Sequence, residues 1–517
     1  MNDVLARISP HRRFLSILVS LSATILAVVV GYTVVVSRAP GAFARQAQAP
    51  IVGAAVATIP APSAPAPAGA TPAAVTPPAT PEASPSTPAA TDATPSPPTP
   101  PASAPTAEAP TAAAWPERVT GRVVDAQKLA LAGASIVVDG REIRADGDGA
   151  FTLTKPRGTV LVKLPGYEKV TIAPRAEPLE VVLKPHAVRA AYLTYYGVMD
   201  RGIRTRVLDM VGRTELNAVV IDLKGDRGWI LYRSEVPMAV AINAQGPAVW
   251  KDFDPFIADL KARGVYTIAR IVTFKDNILA NARPDLAIID TRTGKPWIDN
   301  EKLAWVDPFR QEVWAYNIAL AKEAARRGFD EVQFDYVRFP TDGKLAAARY
   351  AKPNTRETRL PTIAAFLERA RHEIGPTGAF VSADVFGYTA FNENDTDIGQ
   401  RVEDLAPHLD YFSPMVYPSG YHKGIPGYRN PVDNPYHVVH ESVRLTRKRA
   451  APHVVRVRPW LQDFRDYAFD RRIFGINEIR AQIKGSDDGG GTGWMLWNPR
   501  NDYTVAALRG KGTLAAR

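Results

Sequence analysis

Hydrophobic positions along the chain fall into four successive regimes. From residue 14 to 36 nearly every residue is apolar, with only Ser, Thr, Gly and Tyr interposed. As a helix rising ~1.5 Å per residue, this run is about 35 Å long, enough to span a bilayer with some tilt. From 37 to 116 the apolar positions are almost all Ala and Pro, without periodicity. Such a segment cannot bury enough surface to offset ordering, so a disordered, polyproline-biased spacer is predicted. At ~3.1 Å per residue its reach is on the order of 200 Å.

Between 117 and 186, short runs separated by turn residues predict a small β-sandwich, with strands over 119–124, 134–138, 150–154, 159–163 and 179–183. The stretch Asp146-Gly-Asp-Gly-Ala-Phe151 reads as a hairpin turn, since it lacks the remaining ligands of a calcium loop. From 189 to 510, strand-like runs alternate with helical patterns. Strands are expected over 191–195, 218–223, 266–273, 331–339, 380–386, 411–417, 454–461 and 493–497. Helices are expected over 205–211, 253–263, 311–327, 361–374, 399–405, 436–448 and 476–484, with a last one after Tyr503. Eight such repeats in about 320 residues predict a (β/α)8 TIM barrel, in the α/β class. A dinucleotide-binding fold would need a Gly-rich turn after the first strand, and Tyr195-Tyr-Gly-Val is not one.

The segment Glu331-Val-Gln-Phe-Asp-Tyr-Val-Arg-Phe-Pro340 organises the barrel. Val332, Phe334 and Tyr336 share one face, suited to covering helices, while Gln333 and Asp335 share the other, suited to the lumen. Pro340 cannot donate to a ladder, so Asp335 and Arg338 fall near the C-terminal strand end, where barrel chemistry sits.

Composition adds constraints. The 517 residues include no Cys, which excludes disulfides and thiolate chemistry. The net charge of +10 is spread without a long Lys/Arg run, and this argues against nucleic acid as a partner. Arg7, His11, Arg12 and Arg13 precede the apolar run and favour a cytoplasmic N-terminus of residues 1–13. Ala42-Phe-Ala44 has the form of a signal-cleavage site, but the run is long for a signal peptide and Arg38 intervenes. The expectation is an uncleaved single-pass anchor in the inner membrane, with the later domains periplasmic or extracellular.

Polar and aromatic residues collect at the predicted strand ends: Tyr195 on the first, Asp222 and Lys224 on the second, Arg270 on the third, Asp335 and Arg338 on the fourth, Asp384 on the fifth. Tyr417 ends the sixth, Trp460, Gln462 and Asp463 the seventh, Trp497 and Asn498 the eighth. Carboxylates beside flat rings at one rim suit sugars, which stack on aromatic faces and need proton transfer for cleavage. The eight histidines do not align at strand ends, and His437-Val-Val-His440-Glu441 has its Glu misplaced for a metalloprotease helix. Neither GxSxG nor a P-loop is present. No metal and no cofactor are expected, and no protein partner is indicated.

Residues 189–510 resemble the glycosyl hydrolase-like TIM-barrel family, distantly similar to alpha-amylase and alpha-galactosidase barrels. The carrying residues are Val220-Ile-Asp-Leu-Lys224, Ala269-Arg-Ile271, Phe334-Asp-Tyr-Val-Arg-Phe-Pro340, Asp397-Ile-Gly-Gln400 and Tyr411-Phe-Ser-Pro-Met-Val-Tyr-Pro418. The sandwich resembles carboxypeptidase-regulatory-like modules through Gly121-Arg-Val-Val-Asp125, Leu131-Ala-Gly-Ala-Ser-Ile136 and Ala145-Asp-Gly-Asp-Gly-Ala-Phe-Thr-Leu153, which implies a non-catalytic spacer or binding domain. The barrel resemblance implies a retaining glycoside hydrolase acting on a polysaccharide or oligosaccharide of the envelope or exterior. Asp335 would be the nucleophile and Asp384 the acid/base, with Asp463 the alternative acid, while Arg338 and Lys224 would orient the site. Amylase-type relatives carry Glu and Arg where this chain has Asp384 and Gln333. The competing expectation is a barrel that binds glycan without cleaving it, within a cell-envelope assembly.

Overall fold

The structure is a computed structural model, and it describes residues 115–246 and 249–511. The expected anchor over 14–36, and the spacer up to residue 114, lie outside the described residues. Among the described residues no helix is long and apolar enough to cross a membrane.

The first seven strands form two sheets. Arg118–Val124 lies between Ala150–Thr154 and Leu179–Val182, and Ser135–Val138 lies between Arg141–Arg144 and Val160–Lys163, which also pairs with Val170–Ile172. Val119, Val123, Phe151 and Leu153 of one sheet share a core with Ile136, Val138, Val160 and Val162 of the other. Arg141–Arg144 and Val170–Ile172 escaped the sequence pattern because they are edge strands with exposed, polar or half-buried positions. The Asp146 turn is as expected: its carboxylate accepts from the Asp148 and Ala150 N–H groups at 3.0 and 2.8 Å.

The barrel strands are Val188–Leu193, Ala218–Lys224, Tyr266–Val272, Glu331–Asp335, Phe380–Phe386, Tyr411–Met415, a seventh in two pieces (Arg456–Val457 and Trp460–Gln462), and Gly493–Trp497. Each pairs in parallel with the next, and the eighth pairs with the first, so the sheet closes. Pro459 has no N–H to donate, and the seventh strand breaks there. The fourth strand ends at Asp335, four residues before the expected end. Tyr336 turns the chain at φ 49°, and its N–H goes to the Asp335 side chain at 2.6 Å rather than to a ladder. Only a single 3-10 turn, Val505–Ala507, stands where a last helix was expected.

Alternation along each strand builds two cores. Ile221, Ile271, Phe334 and Val381 face outward onto helices such as Gln311–Arg326 and Arg356–Ile374. Ala190, Tyr192, Val220, Ile268, Trp460 and Met495 fill the lumen. The sandwich docks at the opposite end from the strand C-termini. Arg371 donates to Glu142 of the sandwich at 2.7 Å through two nitrogens and reaches Asp410 at 3.2 Å, just before the sixth strand. The buried Lys163 donates to the Ala379 carbonyl at 2.5 Å. The rim at the strand C-termini is left to the candidate site.

Candidate active site

Strand register places the carboxylates. Gln333 pairs with Ser382 and Phe334 with Ala383, so Asp335 and Asp384 are the next neighbours on adjacent strands. Both are buried. Arg270 lies one strand further on, opposite Gln333.

Arg270 is the hub. Its Nε donates to Asp335 Oδ2 at 3.1 Å, its Nη2 reaches the same oxygen, and its Nη1 pairs with Asp222 Oδ1. The same Nε lies 3.9 Å from Asp384 Oδ2. One nitrogen near both carboxylates puts those oxygens no more than about 7 Å apart, a bound that admits the separation of a retaining pair. A guanidinium is thus supplied to Asp335 from the neighbouring strand, at the level of Gln333. Asp222 is held from behind by the Tyr192 hydroxyl at 2.6 Å. Burial and the Asp222 charge push the Tyr192 phenol well up, so it stays a donor.

Asp384 differs from Asp335 in its surroundings. Trp460 Nε1 donates to Asp384 Oδ1 at 2.7 Å, but among the described residues no cation is within hydrogen-bond distance. Burial, and next the Asp335 charge, push the Asp384 carboxyl well above the usual carboxylate range against the pull of Arg270. Two adjacent carboxyls in unequal environments are the arrangement that separates an acid from an anion.

Aromatic rings wall the site. Tyr192 and Trp497 stack with centroids 4.0 Å apart, and the Arg270 guanidinium lies 5.0 Å from the Trp497 ring centre. Tyr417 and Trp460 line a cavity of about 20 Å³ beside Asp335 and Asp384. A second cavity of about 160 Å³ shares Arg270, Tyr336 and Trp497 with it and is lined also by Tyr195, Asp222, Asp226 and Trp229.

The structure therefore gathers Asp222, Arg270, Asp335, Arg338, Asp384, Tyr417, Trp460 and Trp497 at these cavities, with Tyr195 on the following helix, Tyr195–Met199, rather than on the strand. Four expected residues lie elsewhere. Lys224 is fully buried against Asp276 at 2.7 Å, because the strand is irregular beyond Arg270 and Asp222 and its end turns toward the helices. Asp463 accepts from the Thr504 N–H and hydroxyl at 3.0 and 2.9 Å; burial first of all pushes its carboxyl up to about 6, but it lines neither cavity. Gln462 bonds Ser419 and Gln482, and Asn498 ties the Asp463 and Asp502 carbonyls, so both are loop struts. Arg338 lines the small cavity but donates to the Phe339 carbonyl at 3.0 Å and lies over Phe386 at 4.7 Å, without an ion pair to Asp335. Tyr192, Asp226 and Trp229 were not singled out from sequence, and Tyr336, expected on the helix-facing side, lines both cavities because the chain turns there at positive φ. Tyr192 shares lumen parity with Ala190, and Asp226 stands two residues past the end of the second strand, at the same rim as Asp222. Among the described residues no cluster of His, Cys, Asp and Glu could hold a metal ion.

Residues 190–503 match the family described as "Putative glycosyl hydrolase domain". The chain belongs to that family. A carbohydrate is accordingly the substrate class that this family implies. Among solved structures, a hypothetical protein from Ruminiclostridium thermocellum is 35% identical, over 38% of this chain and 97% of that one, with a TM-score of 0.34. The PgaB glycoside hydrolase domain of Bordetella bronchiseptica is 14% identical, over 63% and 99% of the two chains, with a TM-score of 0.45. A chitinase from Chromobacterium violaceum is 14% identical, over 64% and 100%, with a TM-score of 0.39. No curated protein matches the chain.

Proposed function

We propose that the barrel is a retaining glycoside hydrolase acting on an envelope or extracellular polysaccharide. The observation that carries this reading is the unequal pair Asp335 and Asp384, both within reach of Arg270 Nε. Asp335, fixed by Arg270 and the Tyr336 N–H, attacks the anomeric carbon. Asp384 gives its proton to the leaving glycosidic oxygen as that bond breaks, and a glycosyl ester on Asp335 results. The Trp460 hydrogen bond occupies Asp384 Oδ1 and leaves Oδ2 to carry the proton. Asp384, now ionised, then takes a proton from water, whose oxygen attacks the same carbon and frees Asp335.

A second reading, a barrel that binds glycan without cleaving it, is favoured by one observation. The cavity beside the carboxylates is small, about 20 Å³, against about 160 Å³ for the cavity that adjoins it. Incubating the full chain with a panel of envelope and exported polysaccharides and scoring new reducing ends separates the two. Release supports the hydrolase, and binding without release supports the lectin-like reading.

The apolar run over 14–36 would tether this barrel to the inner membrane with the spacer over 37–116 extending its reach, and the sandwich, as a carboxypeptidase-regulatory-like spacer, would carry the closed end of the barrel. A reporter fused after Arg517 would then be active only in its extracytoplasmic form. Activity of the cytoplasmic form would contradict the tether.

A further inference from the structure

The larger cavity holds a carboxylate that the cleavage chemistry does not use. Asp226 sits in the turn Gly225–Gly228 that follows the second strand. This turn is rigidly built: the Gly228 N–H donates to the Gly225 carbonyl at 2.9 Å, and Lys224 and Ile230 bridge across its base. Gly228 has φ 89°, and a Cβ there would stand 2.2 Å from Asp276 Oδ1, so the position needs glycine. Asp276 in turn holds Lys224 and caps the helix Asn277–Ala282 through the Leu279 N–H at 2.9 Å. The misdirected Lys224 therefore has a use, which is to anchor the turn that presents Asp226.

Asp226 lines the cavity together with Asp222, Tyr196, Trp229 and Trp497. Unlike Asp222, which Tyr192 and Arg270 satisfy, Asp226 forms no hydrogen bond or ion pair among the described residues. The nearby cations are committed elsewhere or open to solvent. Lys275 is held by Asp299 at 3.1 Å and Glu301 at 2.7 Å, Arg270 is held by Asp222 and Asp335, and Arg227 is exposed. Burial pushes the Asp226 carboxyl up, as expected of an anion short of a partner. Tyr196 is 58% exposed, a large ring standing at the cavity mouth. An unpaired carboxylate among ring faces is the chemistry that receives an alkylammonium, through charge on one side and ring quadrupoles on the others.

We propose that this cavity is a sugar subsite next to the cleavage point, and that Asp226 with Tyr196 and Trp229 selects a sugar unit bearing a free, protonated amine. The proposal rests on the glycoside-hydrolase reading for its place beside the scissile bond, but not for its chemistry. A neutral sugar would leave Asp226 to a hydroxyl alone; an N-acetylated one would bring an amide where a cation fits. Binding of the ammonium replaces the missing partner and keeps Asp226 ionised.

The test is calorimetric titration of the full chain in detergent, carrying Asp335→Asn so that ligand is not consumed. The probes are a β-1,4-linked glucosamine tetrasaccharide and its fully N-acetylated counterpart. Binding of the free-amine form should be at least tenfold tighter, Asp226→Asn should erase the difference, and Trp229→Ala should weaken the binding of both. Asp226→Asn should melt with the parent, since its carboxylate braces nothing. Equal affinity for the two probes, no binding of the free-amine form, or a preference that survives Asp226→Asn would each overturn the proposal. The outcomes separate it from the hydrolase reading. If the wild type cleaves a neutral glycan but binds the free-amine probe no tighter than its N-acetylated counterpart, the hydrolase stands and the amine subsite falls. Asp226-dependent binding of the amine probe, with no glycan cleaved, has the opposite meaning.

Discussion

Arg270 Nε lies 3.1 Å from Asp335 Oδ2, and Nη2 of the same guanidinium reaches that oxygen too. The fork fixes the carboxylate in place and keeps a positive charge on it. Removing the fork should therefore do two separable things. Arg270→Met leaves Asp335 and Asp222 buried without a countercharge and should cost about 3–5 kcal/mol of stability. Arg270→Lys keeps the charge and loses the fork, so it should fold with a smaller loss while glycan cleavage falls by more than tenfold. Denaturant unfolding beside initial rates checks this pair; a fully active Arg270→Lys would show that the fork has no part in cleavage.

The acid role of Asp384 has a pH signature. Its carboxyl is pushed well above the ordinary value by burial and next by the Asp335 charge. The folded state therefore holds that proton more tightly than the unfolded chain. Its stabilisation is complete at pH below the ordinary carboxylate value and is lost as pH rises through the folded value. Activity should fall on the same limb, since the acid form is the one that protonates the leaving group. Asp384→Asn should remove the alkaline limb and retain more rate on substrates whose leaving group needs no protonation. An alkaline limb unchanged in Asp384→Asn would assign it to another group.

Lys224 tests the packing account of the turn. Its ammonium and the Asp276 carboxylate are both fully buried, 2.7 Å apart. Lys224→Met keeps the stem and strands the carboxylate, at a cost of about 3–5 kcal/mol. Lys224→Met combined with Asp276→Leu should recover much of that loss. Thermal and urea unfolding of the two variants check this, and a single variant as stable as the parent would show that the pair is dispensable.

The barrel was legible because its signals are local and repeated: eight strand-like runs, seven of them followed by a helix, fix the strand count and the lumen parity of Asp335 and Asp384. The rim of carboxylates and rings was legible for the same reason, as strand ends are where side chains converge. What escaped depends on contacts between distant segments. Nothing local says that Lys224 turns toward Asp276, that Thr504 claims Asp463, or that Arg270 and not Arg338 takes Asp335. Tyr192 lay inside the expected first strand, but that strand ends at Leu193, two residues before the expected end, which had moved attention to Tyr195. The fourth strand was read too long because the positive φ of Tyr336 leaves no mark in the residue type.

The central claim, that Asp335 is the nucleophile of a two-carboxylate cleavage, is tested most directly by one rate comparison. The measurement is initial reducing-end release from the polysaccharide that the wild type cleaves, for wild type and Asp335→Asn, both confirmed folded by thermal unfolding. The account predicts that release by Asp335→Asn falls by at least a thousandfold while the variant still binds the glycan, since only the transition state needs the carboxylate. Release by Asp335→Asn within tenfold of the wild type would contradict it and leave Asp335 as a partner of Arg270 alone.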